Sequence, residues 1–106
     1  MKTNIFLTAK NGDYDAKGVY EDGKITVLPG STIRLDFANH IRGGNKALSF
    51  RENPEYVDAK GLVLKGCQFT SASTAAQFVT GRSTNGLEAW KIEKKVNLKQ
   101  WLEQKK

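Results

Sequence analysis

The stretch Ile5-Phe6-Leu7-Thr8-Ala9-Lys10-Asn11-Gly12-Asp13-Tyr14-Asp15-Ala16-Lys17-Gly18-Val19-Tyr20-Glu21-Asp22-Gly23-Lys24-Ile25-Thr26-Val27 decides the fold. Asn11-Gly12 and Asp22-Gly23 each read as a two-residue type I′ hairpin turn, whose central positions both need positive φ. Two such turns fix a register in which Leu7 faces Ala16, Ile5 faces Gly18, Tyr20 faces Ile25 and Gly18 faces Val27. Opposed residues share a face and side chains alternate along each strand. One face then gathers Ile5, Leu7, Ala9, Tyr14, Ala16, Gly18, Tyr20, Ile25 and Val27, while the other is polar apart from Phe6, Val19 and Leu28. A slip of one residue would destroy that separation. The pattern predicts a three-stranded antiparallel meander.

Outward from the meander, Pro29-Gly30 closes the third strand, and Ser31–Asp36 is expected to be a short further strand. Asn39–Lys46 reads as a loop, Ala47–Asn53 and Tyr56–Lys60 as helical turns, and Leu62–Leu64 with Cys67–Thr70 as a hairpin around Lys65-Gly66. Ser71 is a natural N-cap, and Ala72, Ala75, Ala76 and Val79 lie on one face of a helix that ends at Gly81. Asn85-Gly86 reads as a turn into a strand over Leu87–Ile92. Asn97 then caps a last helix with an apolar stripe of Leu98, Trp101 and Leu102. The expected class is α+β: a meander extended by short strands, with two short helices near 72–80 and 98–104 packed on one face.

The 106 residues, 39% hydrophobic and 26% charged, make one globular domain rather than a disordered chain. Its expected radius of gyration is roughly 13 Å. No apolar run approaches the ~20 residues of a membrane span, and no signal peptide is evident. The expected location is therefore the cytoplasm. One Cys and one His exclude an internal disulfide and argue against a zinc cage. No metal or cofactor is expected.

The net charge of +6 is concentrated: residues 1–58 balance, whereas 59–106 hold nine basic residues against Glu88, Glu93 and Glu103. Such asymmetry suits a polyanion, because Lys and Arg displace counterions from phosphates. The alternative is that Lys99, Lys105 and Lys106 serve helix polarity and solubility. Catalysis is not expected. His40 has no nucleophile at a recognised spacing, and Cys67 reads as a buried thiol. No Walker or Rossmann loop is present. Binding has better support. Ser71, Ser73 and Thr74 sit at a helix N-terminus, which suits an anion, although plain capping is the simpler account of them. Arg82, Ser83 and Asn85 offer donors from a polar loop, with Lys91 and Lys94 nearby. Of these, Arg82 is needed neither for the helix stop nor for the turn. Trp90 and Trp101 can stack on bases or fill the core.

Phe69-Thr70-Ser71-Ala72-Ser73-Thr74-Ala75-Ala76-Gln77-Phe78-Val79-Thr80-Gly81-Arg82-Ser83-Thr84-Asn85-Gly86-Leu87-Glu88-Ala89-Trp90-Lys91 resembles the F-S-S-P-S-A-A-A-x-F-V-x-G-R-S-x-N-G-W-x-x-W-K signature of the bacterial domain of unknown function 4357. Asp15-Ala16-Lys17-Gly18 and Val27-Leu28-Pro29-Gly30-Ser31 resemble its A-K-G and V-L-K-G-S segments, in the same order. Ala72 stands where that signature has proline, and Leu87 where it has its first tryptophan. The resemblance implies a nucleic-acid-linked context. Members are often appended to GIY-YIG nucleases and restriction–modification proteins, and a related module associated with restriction enzymes and adenine methylases shares the pattern. With no nuclease attached, this chain is expected to act alone or recruit a partner. The expected function is a non-catalytic nucleic-acid-binding module. Its binding residues would be Arg82, Ser83, Asn85, Lys91, Ser71, Ser73 and Lys94. The alternative is a protein-interaction module, for a restriction or mobile-element partner, docking through Phe6, Val19 and Leu28.

Overall fold

A computed structural model of the chain describes residues 2–37, 45–93 and 96–104. In chain order the elements are β1 (Lys2–Thr8), β2 (Asp15–Glu21), β3 (Lys24–Val27), α1 (Asn45–Glu52), β4 (Cys67–Phe69), α2 (Ala72–Thr80), α3 (Gly86–Ala89), β5 (Lys91–Glu93), β6 (Val96–Asn97) and α4 (Leu98–Gln104). The strands form a six-stranded antiparallel sheet in the order β4-β3-β2-β1-β5-β6. The class is α+β and the meander is present in the expected register, with Ile5 opposite Gly18, Leu7 opposite Ala16 and Tyr20 opposite Ile25.

The two meander turns differ. At Asp22 and Gly23 φ is 50° and 87°, the conformation a type I′ turn requires. At the first turn only Gly12 has positive φ. Asn11 instead spends its side chain on an Asx turn, its Oδ1 accepting the Asp13 N–H at 3.1 Å. Gly12 N–H donates to Ala9 O at 3.1 Å, so the loop widens and the ladder stops at Thr8 and Asp15. The register survives because the wider loop still closes on the Ala9–Tyr14 pair, joined by an N–H to O bond of 3.0 Å.

Ile5, Leu7, Ala16, Ile25 and Val27 are buried, and Gly18 lies beneath Ile5. Helices cover this face. Phe50 on α1 meets Phe69 on β4 edge-on at 5.3 Å, and Phe69 meets Phe78 on α2 at 5.2 Å. The α2 residues from Ala75 through Thr80 are all buried, a wider face than the alanine stripe alone suggests, because α1 packs on the helix as well as the sheet. Trp101 of α4 lies edge-to-face on Tyr20 at 6.0 Å. The Cα radius of gyration is 12.7 Å.

Between β3 and α2 the expected elements give way to others. Ser31–Asp36 contains a single bridging residue, Thr32, paired with Asp15 and Leu62. Ser31 instead continues the ladder with its side chain. Its Oγ accepts the Lys17 N–H at 3.0 Å and donates to Lys17 O at 3.2 Å. The hairpin around Lys65-Gly66 does not form: β4 pairs with β3, while Leu62 and Val63 bridge Thr32 and Val57. Burying Cys67 and Phe69 beside Val27 and Ile25 outweighs the local turn. Helix α1 begins at Asn45, inside the expected loop. Gly86–Ala89 is a helical turn where a strand was expected, and β5 begins only at Lys91. The helices therefore number four among the described residues, not two.

Candidate functional site

The segment 69–91 folds as a clasp around α2. Ser71 Oγ accepts the Thr74 N–H at 3.3 Å, capping the helix. Ser73 Oγ accepts the Gly86 N–H at 3.1 Å, and Asn85 Oδ1 caps α3 by accepting the Leu87 N–H at 3.2 Å. Gly86 lies so close to the first turn of α2 that a Cβ there would overlap the Ala72 carbonyl and the Ser73 nitrogen. Trp90, fully buried, donates its indole N–H to Ala72 O at 3.2 Å. The α2 N-terminus, a natural place for an anion, is thus occupied by α3, and Ser71, Ser73 and Asn85 make its capping and docking bonds.

The other end of α2, roughly 13 Å along the axis from its start, is built differently. Gly81 closes the helix with φ 75° and donates its N–H to Gln77 O at 2.9 Å. A Cβ at Gly81 would collide with the Asp36 carbonyl, so the strand-like segment through Arg34 runs hard against the helix end. Arg34 N–H donates to Val79 O and Arg51 Nε–H to Phe78 O, both at 2.9 Å. These bonds satisfy the last carbonyls of α2 and suit the negative end of its dipole. The Arg51 guanidinium carbon lies 4.9 Å over the Phe37 ring, and its Nη2 is buried without a hydrogen-bond partner among the described residues. Burial foremost, and then the charge of Arg34, push its pKa down to about 10, against the pull of Asp36.

Beyond Gly81 the chain is fixed by hydroxyls. Thr80 Oγ1 and Thr84 Oγ1 are 2.8 Å apart, the Thr84 hydroxyl donates to Arg82 O at 2.9 Å, and Arg82 N–H donates to Thr80 Oγ1 at 3.3 Å. This network holds the backbone of Arg82 and leaves its side chain exposed. Arg82 lines an open cleft of about 380 Å³ with Arg34, Thr84, Tyr14, Asn11 and Asp13. Neither Arg34 nor Arg82 makes an ion pair or side-chain hydrogen bond among the described residues.

Of the expected binding residues, Arg82 alone lines this cleft. Ser83 follows it, exposed, and Ser71, Ser73 and Asn85 belong to the clasp. Lys91 sits opposite Phe6 on the outer face of the sheet, its Nζ donating to Glu88 O at 3.1 Å. Lys94 and His40 lie outside the described residues. Arg34 and Tyr14 were not among the residues the sequence pointed to, because only the docking of the 31–37 segment on α2 brings them to Arg82. Cys67 is fully buried, with burial raising its thiol from 9.0 to about 11, the state of an unreactive cysteine. Among the described residues no group of three or more His, Cys, Asp or Glu could hold a metal ion, and no helix is long and apolar enough to cross a membrane.

No curated protein and no solved structure matches the chain. A family model does, over residues 6–102, from the first meander strand to the last helix. The match takes in every part of the clasp and both sides of the arginine cleft, well beyond the short segments that first suggested it. The chain belongs to the DUF4357 family, a domain of unknown function.

Proposed function

We propose that this domain is a non-catalytic nucleic-acid-binding module whose contact surface is the cleft at the C-terminal end of α2. One observation carries the reading: within 69–91 the fold employs Ser71, Ser73, Asn85, Gly86 and Trp90 in internal bonds and packing, and among the described residues employs the Arg82 guanidinium in none. Arg34 adds a second uncommitted guanidinium to the same cleft. Guanidinium groups suit phosphate through paired donors, and Thr84 and Asn11 lie within the same lining. A restriction–modification setting is the natural context for such a module, given the resemblance.

The test is fluorescence anisotropy with labelled DNA, single- and double-stranded, across a salt series. Affinity should fall with salt, and Arg82→Ala should flatten the log–log slope by about one unit while leaving the fold intact. No binding to either form at ~50 mM salt, or binding without a salt slope, refutes the proposal.

A second reading, protein docking, draws on the outer face of the sheet. Phe6 is 38% exposed there, and Val19 and Leu28 line a shallow depression of about 250 Å³ with Lys2, Glu21 and Lys24. Phe6→Ser would abolish capture of a protein partner and spare nucleic-acid binding if this face were the functional one.

A further inference from the structure

The arginine cleft has the wrong charge for a duplex track and the right contents for one nucleotide. Its charged lining residues are Arg34 and Arg82 against Asp13, a surplus of one. The neighbouring cleft, continuous with it through Arg34 and Asp13, sets Arg34 and Lys60 against Asp13 and Asp36 and is balanced. Proteins that follow a duplex backbone line their path with many cations, since each phosphate neutralised adds to affinity. This surface lacks such a stripe among the described residues.

Tyr14 supplies what a single base would need. It is half-buried on the cleft wall, and its carbonyl is tied to the Ala9 N–H at 3.0 Å, so the backbone that carries the ring is held by the hairpin loop. The chain's other tyrosines are committed: Tyr20 packs on Trp101, and Tyr56 on Phe50 with Lys65 above it. Tyr14 packs in part against the core, but pairs with no other aromatic ring and makes no hydroxyl hydrogen bond among the described residues. An aromatic ring, guanidinium groups and a carboxylate around a space of about 380 Å³ match the ring, phosphate and amino edge of one nucleotide.

We propose that this cleft takes one unpaired nucleotide, of a single strand or a bulge, its base stacked on Tyr14 and its phosphate held by Arg82 and Arg34. The inference rests on the nucleic-acid reading above and narrows it to unpaired strands.

Anisotropy with labelled oligothymidylate, oligouridylate and a fully paired hairpin tests it on the whole chain. Either single strand should bind about tenfold or more tightly than the hairpin, and the tighter of the two identifies DNA or RNA as the source. Tyr14→Leu should lose about tenfold on the single strand, whereas Tyr14→Phe keeps the affinity. Should Tyr14→Leu fail to fold, the ring protons of Tyr14 in the unaltered protein give a second reading. A stacked base moves them upfield at saturation, and their standing still overturns the inference. Equal affinity for hairpin and single strand, with Arg82→Ala weakening both, overturns this inference and leaves the broader function standing. No binding to any of the three overturns both.

Discussion

Gly86→Ala sets two effects of opposite sign against each other. Gly86 opens α3 with negative φ, and alanine is a better helix former than glycine by about 1 kcal/mol, so propensity alone predicts a more stable protein. The new methyl group, however, would occupy the position of the Ala72 carbonyl and the Ser73 nitrogen. These are backbone atoms of α2 and cannot turn aside as a flexible side chain would. α3 must then withdraw from α2, stretching the Gly86 N–H to Ser73 Oγ bond of 3.1 Å and the Trp90 Nε1–H to Ala72 O bond of 3.2 Å. Losing the first costs about 1 kcal/mol, and leaving a buried indole donor unsatisfied costs about 1–3 kcal/mol. Overpacking adds about 1–3 kcal/mol. After the gain of about 1 kcal/mol in propensity, the net expectation is a loss of about 2–6 kcal/mol, a large share of the 5–15 kcal/mol typical of a domain. In a thermal melt followed by tryptophan fluorescence, Tm should drop by roughly 8–30 °C. Leu87→Ala, at an exposed neighbour, should stay within about 0.5 kcal/mol of the unaltered protein. A Gly86→Ala variant that melts at or above the unaltered protein would refute the clasp.

At the other end of the chain, Asn97 Oδ1 accepts the Gln100 N–H at 2.9 Å while Gln100 Oε1 accepts the Asn97 N–H at 3.0 Å, a reciprocal cap on α4. Asn97→Ala should cost about 1 kcal/mol, read as a lower urea midpoint, and an unchanged midpoint would mean that α4 is held by packing alone. Cys67 makes stability depend on pH in the alkaline range. Its folded thiol titrates at about 11 rather than 9.0, so between those values the unfolded chain binds fewer protons and stability falls as pH rises. Urea midpoints measured from pH 8 upward, set against Cys67→Ala, check this, and parallel curves for the two proteins would count against it.

The meander was legible because turn chemistry and side-chain alternation specify the same register, so that even the misread first turn left the pairing unchanged. The limits of α2 were legible for a similar reason: Ser71 and Gly81 each have a local job that few other residues do well. The pairing of β4 with β3 was not, since Lys65-Gly66 offers a plausible local hairpin and only the burial of Cys67 and Phe69 decides against it. α3 was misread because Asn85-Gly86 suits a turn and a helix cap alike, and the closeness of Ala72 that demands glycine is a tertiary fact. Arg82 could be singled out as idle from the sequence. Its cleft could not, because Tyr14 and Arg34 come from segments far apart in the chain and carry no pattern that links them.

The most direct test of function is an amide NMR titration of the labelled protein with a short single-stranded oligonucleotide at low salt. Binding at the end of α2 should shift the amides of Asn11, Tyr14, Arg34, Arg82 and Thr84 together, with the shifts reversed as salt is raised. Shifts gathered instead on Phe6, Val19 and Leu28, or no shifts at saturating oligonucleotide, would contradict the assignment of this cleft to nucleic acid.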